Sequence, residues 1–402
     1  MENVVETKKK SYLPLVSSLY FNYIFQGMAA IIISQNITIL TQQWQATTAQ
    51  VALVISAIGL GRILSLYLSG YISDRFGRKK TNLIGIACYF VFFGGLLFAH
   101  SWQFAFVAAL FGGFSNAFLD TSTYPAIAEA YPKEKDTSSL SVLNRAFISI
   151  GQFILPILTR MMISQDLFFG IPFLLCIGFL LANMVFLKFQ DFPENTSSNV
   201  KETTIIEKTK AKFAIDGVTL LVFSFICISL FNIFILWAPT FAQDLGLASE
   251  ANSLLLISVY SIGSFICVFL NSAIVKKGAR ISLVMSFHTG VTTLSMLTMT
   301  LVPNFSVMLV VSFLVGGFAA AGIWQLGLAL CLEYFPEKKG RITGMYSMAT
   351  SVSLMIMPFL TGFMVESDIR YVFYFAIGLG VIGFLNTVLI AKRHAKFIKE
   401  RA

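Results

Sequence analysis

Long apolar stretches follow one another along almost the whole chain, and short polar segments separate them. Most of these stretches reach the roughly 20 residues that a helix needs to cross about 30 Å of hydrocarbon. We predict twelve transmembrane helices, near residues 12–40, 48–72, 81–100, 103–128, 139–164, 167–188, 213–241, 250–275, 281–301, 305–332, 341–365 and 370–391. Because a bilayer offers no water to unpaired backbone groups, we expect an all-α, multi-pass protein of the cell membrane.

Charged residues are few and lie mostly in alternate loops. Only 12% of the 402 residues are charged, about half of the share in an ordinary soluble domain. Basic residues concentrate on one predicted side of the membrane, in the segments 8–10, 75–80, 133–135, 188–212, 276–280, 338–341 and 392–401. Since positively charged loops stay in the cytoplasm, we predict that both termini are cytoplasmic. We attribute the net charge of +9 to basic loops that orient the chain in the membrane and contact the anionic lipid bilayer. No nucleic-acid partner is expected.

The residue patterns of enzymes and metalloproteins are missing from the sequence. Its five cysteines fall inside apolar stretches without C-x-x-C spacing, which argues against a disulfide framework or a metal site. No phosphate-binding loop of the G-x-x-x-x-G-K-[ST] type occurs, so the use of ATP is not indicated. We therefore expect no enzymatic activity, no cofactor and no metal.

The two halves of the chain repeat one another. The segment GGFSNAFLDTSTYPAIAEAYPKEK from Gly112 aligns with GGFAAAGIWQLGLALCLEYFPEKK from Gly316, at an offset of 204 residues. A parallel repeat of six helices predicts two six-helix bundles with a cavity between them. We assign residues 1–189 to an N-terminal bundle, 190–212 to a polar cytoplasmic linker and 213–402 to a C-terminal bundle.

A compact charged motif, GYISDRFGRKK, lies between the second and third predicted helices. Its pattern G-x-x-x-D-R-x-G-R-[KR] resembles the signature of the major facilitator superfamily and is formed by Gly70, Asp74, Arg75, Gly77, Arg78 and Lys79. Together with the twelve helices and the repeat, the resemblance extends over essentially the whole chain. It implies the major facilitator fold and a secondary transporter that works by alternating access. Other stretches are similar to the YdiM/YdiN type of bacterial inner-membrane transport proteins, a resemblance that supplies no solute.

The resemblance also implies a gating role for the charged motif. In the family, the carboxylate equivalent to Asp74 closes the cytoplasmic side against helix eleven, which here begins near Gly340 and Arg341. Gly70 is expected where two helices approach closely, and Gly77 is expected where the chain reverses. The alternative is that the motif only orients its loop in the membrane.

The second half keeps only part of this gating motif. In its copy, NSAIVKKGARI, Val275 stands where a carboxylate is expected, so gating should be asymmetric between the halves. Glu129 and Glu333 occupy matching positions of the repeat, near the cytoplasmic ends of helices four and ten. We expect them to be duplicated elements of the latch.

Charged side chains inside the predicted helices are rare and are the first candidates for transport chemistry, because such charges are costly in a membrane. They are Arg62, Asp120 and Arg145, which a rise of about 1.5 Å per residue places at similar depth. We predict that they form one cluster, in which the guanidinium groups bind a small organic anion. Asp120 would be the proton-responsive member and would compete with the solute for the arginines. The alternative is a structural charge network or an inner gate.

Uncharged polar side chains near the predicted midplane form a second group of candidates for solute binding, namely Gln26, Asn116, Gln152, Asn232 and Gln325. The alternative for each residue is a side-chain hydrogen bond to a neighbouring helix, with no contact to solute. Trp324 occupies the repeat position of Asp120. It is a candidate for stacking on a ring-bearing solute, with packing in the core as the alternative.

These features predict a secondary active transporter for a small polar or anionic organic solute, coupled to protons by symport and functional as a monomer. Proton-driven drug efflux is an alternative. Drug antiporters of the family usually carry G-x-x-x-G-P-x-x-G-G on helix five, whereas this chain reads SIGQFILPILT there. A membrane sensor without transport is a third reading, which the short linker and tails disfavour.

Overall fold

The computed structural model describes residues 11–131, 137–193 and 211–401, and all regular secondary structure in these ranges is helical. Twelve helical units in these ranges are long and apolar enough to cross a membrane, which confirms the predicted all-α membrane fold. We number them α1 (Leu13–Gln35), α2 (Thr48–Phe76), α3 (Arg78–Leu97), α4 (Trp102–Ala130), α5 (Thr137–Ser164), α6 (Ile171–Lys188), α7 (Phe213–Asp244), α8 (Glu250–Lys276), α9 (Ile281–Leu301), α10 (Phe305–Tyr334), α11 (Lys339–Ser367) and α12 (Ile369–Arg401).

Some sequence predictions fall on residues outside these ranges. Residues 1–10, the basic loop residues Lys133 and Lys135, and most of the predicted linker 190–212 lie outside the described residues. The domain boundaries and the cytoplasmic location of both termini therefore stay predictions.

Several helix ends differ from the sequence prediction for local reasons. The first predicted helix ends at Gln35, and a short separate helix, Ile37–Trp44, follows it. α3 begins inside the charged motif, because Gly77 reverses the chain in a single residue with a φ of 92°. α12 continues to Arg401, past its predicted end at residue 391. In this extension, Arg393 forms an ion pair with Asp216 in the first turn of α7.

α10 is interrupted in its middle, a feature that the sequence analysis did not predict. Its turns widen to a π-helix at Gly316–Ala320, and the α-helix resumes at Ile323 after Gly322 adopts a φ of 83°. Glycine is the residue that takes this conformation without strain. The Asn271 side chain of α8 donates a hydrogen bond of 2.7 Å to the Ala321 carbonyl oxygen. That bond satisfies a backbone group at the break, as a membrane interior requires.

One glycine of the repeated segment in each half allows a close crossing of the same two helices of the bundle. A methyl group at Gly113 of α4 would lie 2.1 Å from the Ile58 carbonyl oxygen of α2. A methyl group at Gly316 of α10 would lie 1.9 Å from the Tyr260 carbonyl oxygen of α8. Small residues at such positions let two backbones approach closely. The two crossings therefore depend on the absence of a side chain.

The first and second halves of the chain meet chiefly along two helix pairs, α2 with α11 and α5 with α8, and less extensively where α1 contacts α7. A methyl group at Gly59 of α2 would lie 2.3 Å from the Met355 backbone nitrogen, and Gly362 of α11 packs as closely on the first turn of α2. Between α5 and α8, the Ser149 and Ser264 hydroxyl oxygens lie 3.0 Å apart. Gly59, Ser149 and Ser264 lie near the middle of their helices, whereas Gly362 lies near the end of α11 that is away from the basic loops.

At the opposite end, α2 and α11 diverge. Among the described residues, no atom outside the local chain lies within 4 Å of where a methyl group would stand at Gly70 of α2, or at Gly340 and Gly344 of α11. The two halves are therefore in contact at one end and separate at the end that carries the basic loops.

Candidate functional site

An arginine and an aspartate pair inside the membrane-spanning part of the first half. The Arg62 Nη2 atom of α2 lies 2.9 Å from the Asp120 Oδ2 atom of α4. The Tyr23 hydroxyl of α1 donates to the other carboxylate oxygen, Oδ1, at 3.1 Å. The side chains of Arg62 and Asp120 are 14% and 17% exposed. The structure thus brings two predicted residues together, and their role in transport stays a prediction.

Arg145 contacts the second half of the chain instead of this pair. Its Nη2 atom donates to the Tyr260 hydroxyl of α8 at 3.3 Å, and its guanidinium carbon lies 5.2 Å from the centre of the Phe231 ring of α7. Among the described residues, none of the carboxylates lies within ion-pair distance of Arg145. The expectation of one three-charge cluster was therefore wrong, because Arg62 and Asp120 pair within the first half while Arg145 reaches across to the second.

Three side chains that the sequence analysis missed connect the ion pair to α5. The Tyr23 ring, which donates to Asp120, lies 6.4 Å from the Tyr124 ring. The Tyr124 hydroxyl accepts a hydrogen bond of 2.7 Å from Asn144, the residue before Arg145. Tyr124 follows Asp120 by four residues, so both lie on one face of α4. The four-residue spacing of Asp120 and Tyr124 is the sequence feature that predicts Tyr124 beside the ion pair.

The uncharged candidates separate into two groups. Asn116 accepts a hydrogen bond of 2.7 Å from the Tyr89 hydroxyl and so joins α4 to α3. The side-chain carbonyl oxygens of Gln26, Gln152 and Asn232 are buried and have no hydrogen-bond partner in residues 11–131, 137–193 and 211–401. Because an unpaired buried oxygen costs free energy, these three are better candidates for solute contact than Asn116.

Trp324 and Gln325 lie just after the break in α10. The Trp324 indole donates to the Thr350 hydroxyl at 2.7 Å and to the Ser224 hydroxyl at 3.0 Å. Its ring centre lies 5.1 Å from that of Tyr346. Trp324 is thus held by α7 and α11 of its own half, which favours a packing role, while Gln325 stays partly exposed.

The charged motif forms a network within the first half. Arg78 is buried, and its guanidinium contacts Asp74 at 2.7 Å, the Ser73 hydroxyl at 2.7 Å and Glu129 at 3.2 Å. The Asp74 side chain is 75% exposed, and no contact joins it to the start of α11 among the described residues. The expected contact between Asp74 and α11 was therefore wrong for this conformation, because the two halves diverge at this end.

The remaining cations of the motif attach its loop to nearby elements. The Arg75 guanidinium lies over the rings of Tyr71 and Phe76, at 5.7 and 5.6 Å from their centres. The Lys79 ammonium donates to the Gln190 carbonyl oxygen at 2.9 Å, just after α6. The motif therefore holds its own loop in place, and the Asp74 side chain remains exposed at the surface.

Two other gating predictions are also corrected. Gly70 has no close neighbour, so the predicted close approach of helices there is wrong in this conformation. Glu333 lies 3.8 Å from the imidazole of His394 in α12, whereas Glu129 belongs to the arginine network of the motif. The two glutamates are therefore not duplicated elements, since each has a different kind of partner. Arg341 is exposed at the start of α11.

Comparison with known proteins identifies relatives along the whole chain. The model of the Major Facilitator Superfamily matches residues 19–287 and 219–401. The chain is 32% identical over 391 residues to the inner membrane transport protein YdiM of Escherichia coli (strain K12), with 96% of each chain covered. It is 29% identical over 384 residues to the inner membrane transport protein YdiN of the same organism, covering 95% of this chain and 91% of YdiN. The crystal structure of a D-xylose-proton symporter shares the fold, with a TM-score of 0.77, 16% identity and coverage of 94% and 97%.

Proposed function

Since this chain belongs to the Major Facilitator Superfamily and is a secondary transporter of the cell membrane, we propose that it moves a small polar or anionic organic solute by symport with protons. The pairing of Arg62 with Asp120 is the observation that carries this proposal. An ionisable carboxylate within a membrane-spanning bundle is costly and usually serves function. Both side chains keep a small exposed fraction, so a proton has access to the pair.

Protonation of Asp120 changes the forces on three helices. A neutral carboxyl group no longer attracts the Arg62 guanidinium by charge, so α2 loses a restraint toward α4. Tyr23 of α1 loses an ionic acceptor at the same time. α2 also forms one of the two main seams between the halves. The protonation state of Asp120 therefore acts on a helix whose contact with α11 must change when access alternates.

Proton movement in liposomes tests the proposal. The purified protein is reconstituted with a pH-sensitive dye inside the vesicles, and organic acids, sugars, amino acids and lipophilic cations are added outside. Symport predicts that a transported solute acidifies the interior. Asp120→Asn should abolish this acidification. Asp166→Asn is the matched control, because Asp166 is exposed and asparagine tolerates its φ of 50°.

The same assay separates the competing readings. Undiminished solute-driven acidification by a well-folded Asp120→Asn variant would remove Asp120 from proton coupling. Alkalinisation of the interior would instead indicate antiport, as expected for an efflux pump. Solute binding without any flux would indicate a membrane sensor.

A further inference from the structure

Arg145 holds a positive charge at the seam between the two halves without a negative partner among the described residues. Arg145 is 8% exposed, and its Nε atom has no hydrogen-bond partner within the part of the chain that the structure describes. Its contacts are the neutral Tyr260 hydroxyl and the face of the Phe231 ring. A buried charge without a counter-ion is strongly destabilising, and an anion at this position would relieve that cost.

The face of α5 that carries Arg145 also carries Ser149 and Gln152, because spacings of four and three residues share one side of a helix. Ser149 contacts Ser264 of α8, so this face points toward the second half. Gln152 is 1% exposed, and its side-chain carbonyl oxygen has no partner among the residues described. A cation and an unpaired acceptor therefore lie along the same seam.

α7 contributes the opposite side of this position. Phe231 lies against the Arg145 guanidinium, and Asn232 is the next residue in the chain. Asn232 is 6% exposed, and its side-chain carbonyl oxygen also lacks a partner in the described ranges. Carbonyl oxygens only accept hydrogen bonds, so a ligand that satisfies Gln152 and Asn232 must donate them.

We propose that Arg145 binds the carboxylate of the transported solute, and that this solute is a small monocarboxylate with hydroxyl groups. The inference rests on the proposed function and names the solute class of that transporter. Because Arg62 is already neutralised by Asp120, the positive charge of Arg145 matches one carboxylate. A guanidinium binds a carboxylate through two parallel hydrogen bonds. The hydroxyl groups of the solute donate to Gln152 and Asn232.

This assignment separates the solute site from the proton site. The carboxylate binds where α5 of the first half meets α7 and α8 of the second, while the proton binds at Asp120 within the first half. The hydrogen bond between Tyr124 and Asn144 joins the two sites through neighbouring residues. Solute bound at Arg145 therefore contacts both halves of the chain. The same part of α5 is linked to the proton site through the hydrogen bond of Asn144 with Tyr124.

Thermal stabilisation of the purified protein by matched pairs of compounds tests the inference. Glycerate is compared with glycerol and gluconate with sorbitol, and hexanoate serves as a carboxylate without hydroxyl groups. A compound that binds the folded state raises its apparent stability by mass action. At least one hydroxy acid should stabilise the protein, while its polyol and hexanoate should each bind at least about tenfold more weakly.

Arginine variants locate the binding site of the stabilising acid. Arg145→Gln should weaken its binding by at least about thirtyfold, the loss expected when one partner of a buried charge pair is removed. Arg145→Lys keeps the charge but loses the bidentate geometry, so its affinity should be intermediate. Arg160→Gln removes an exposed arginine of the same helix and should bind like the wild type. If Arg145→Gln fails to fold, two measurements still test the carboxylate assignment. They are the comparison of each acid with its polyol and the affinity of Arg145→Lys for the acid.

Three results would overturn the inference, namely a polyol that binds as tightly as its acid, wild-type affinity in Arg145→Gln, or no stabilisation by any acid. Its failure is distinguishable from failure of the proposed function. Proton movement driven by a neutral polyol would keep symport and overturn the carboxylate assignment. Binding of an acid that depends on Arg145 but moves no proton would support the assignment and overturn proton coupling.

Discussion

Asp120 is enclosed by two side chains from different helices, Arg62 of α2 and Tyr23 of α1. At the scale of the residue, the free energy of this group depends on whether its charge stays paired. Removing one member of an enclosed ion pair is usually more destabilising than removing both, because a single removal leaves an unpaired charge. This asymmetry makes the pair testable without knowledge of the solute.

We expect Arg62→Gln and Asp120→Asn each to lower the thermal stability of the protein in detergent, by up to about 3 kcal/mol. The double variant should be more stable than the sum of the two losses predicts, because neither charge is then left alone. Unfolding midpoints of the four proteins measure this coupling, with Arg160→Gln as the control for loss of one arginine. Strictly additive losses would show that the two charges do not stabilise one another.

At the scale of the element, glycine positions decide how closely helices cross. Gly59 of α2 stands against the backbone of α11, where a methyl group would lie 2.3 Å from the Met355 nitrogen. Gly178 of α6 has no neighbour within 4 Å of such a methyl group. Both glycines lie inside helices, so alanine gains the same intrinsic helix propensity of about 1 kcal/mol at either place. The difference between the two sites is therefore one of space.

We expect Gly59→Ala to reduce transport and thermal stability, because the methyl group pushes α2 away from α11. Gly178→Ala should leave transport unchanged and stability equal or slightly higher. Solute flux in liposomes and unfolding midpoints compare the pair. Equal behaviour of the two variants would mean that the close crossing of α2 and α11 has no part in transport.

At the scale of the whole molecule, the two halves contact each other at one end and diverge at the other. Ser149 of α5 and Ser264 of α8 meet near the middle of the seam between these two helices, with their hydroxyl oxygens 3.0 Å apart. Transport by alternating access requires the contact to open. A covalent bond across it should therefore hold the protein in one conformation.

We expect the double variant Ser149→Cys/Ser264→Cys to form a disulfide on oxidation and to lose transport, provided that the five native cysteines are replaced. Reduction should restore the flux. Ser18→Cys/Asn183→Cys is the matched control, because Ser18 and Asn183 are hydrogen bonded within the first half. Full transport by the oxidised Ser149/Ser264 pair would mean that this seam does not open.

The twelve helices, the repeat and the reversal at Gly77 could all be predicted from the amino-acid sequence. Apolar length and a glycine in the left-handed region act locally, so they can be read from neighbouring residues. The break at Gly322 was missed, because its stability depends on Asn271 of another helix. Local pattern alone contains no information on such a partner.

Which charged side chains form ion pairs could be read only from the three-dimensional packing of the helices. Arg62 and Arg145 look equivalent in the sequence, yet Arg62 pairs with Asp120 and Arg145 contacts Tyr260 in the other half. Likewise, Asp74 pairs with Arg78 in its own half, and within the described chain it makes no contact with α11 in this conformation. Depth along a helix follows from residue number, but partners depend on the rotation and crossing of helices, which distant close-packed residues determine.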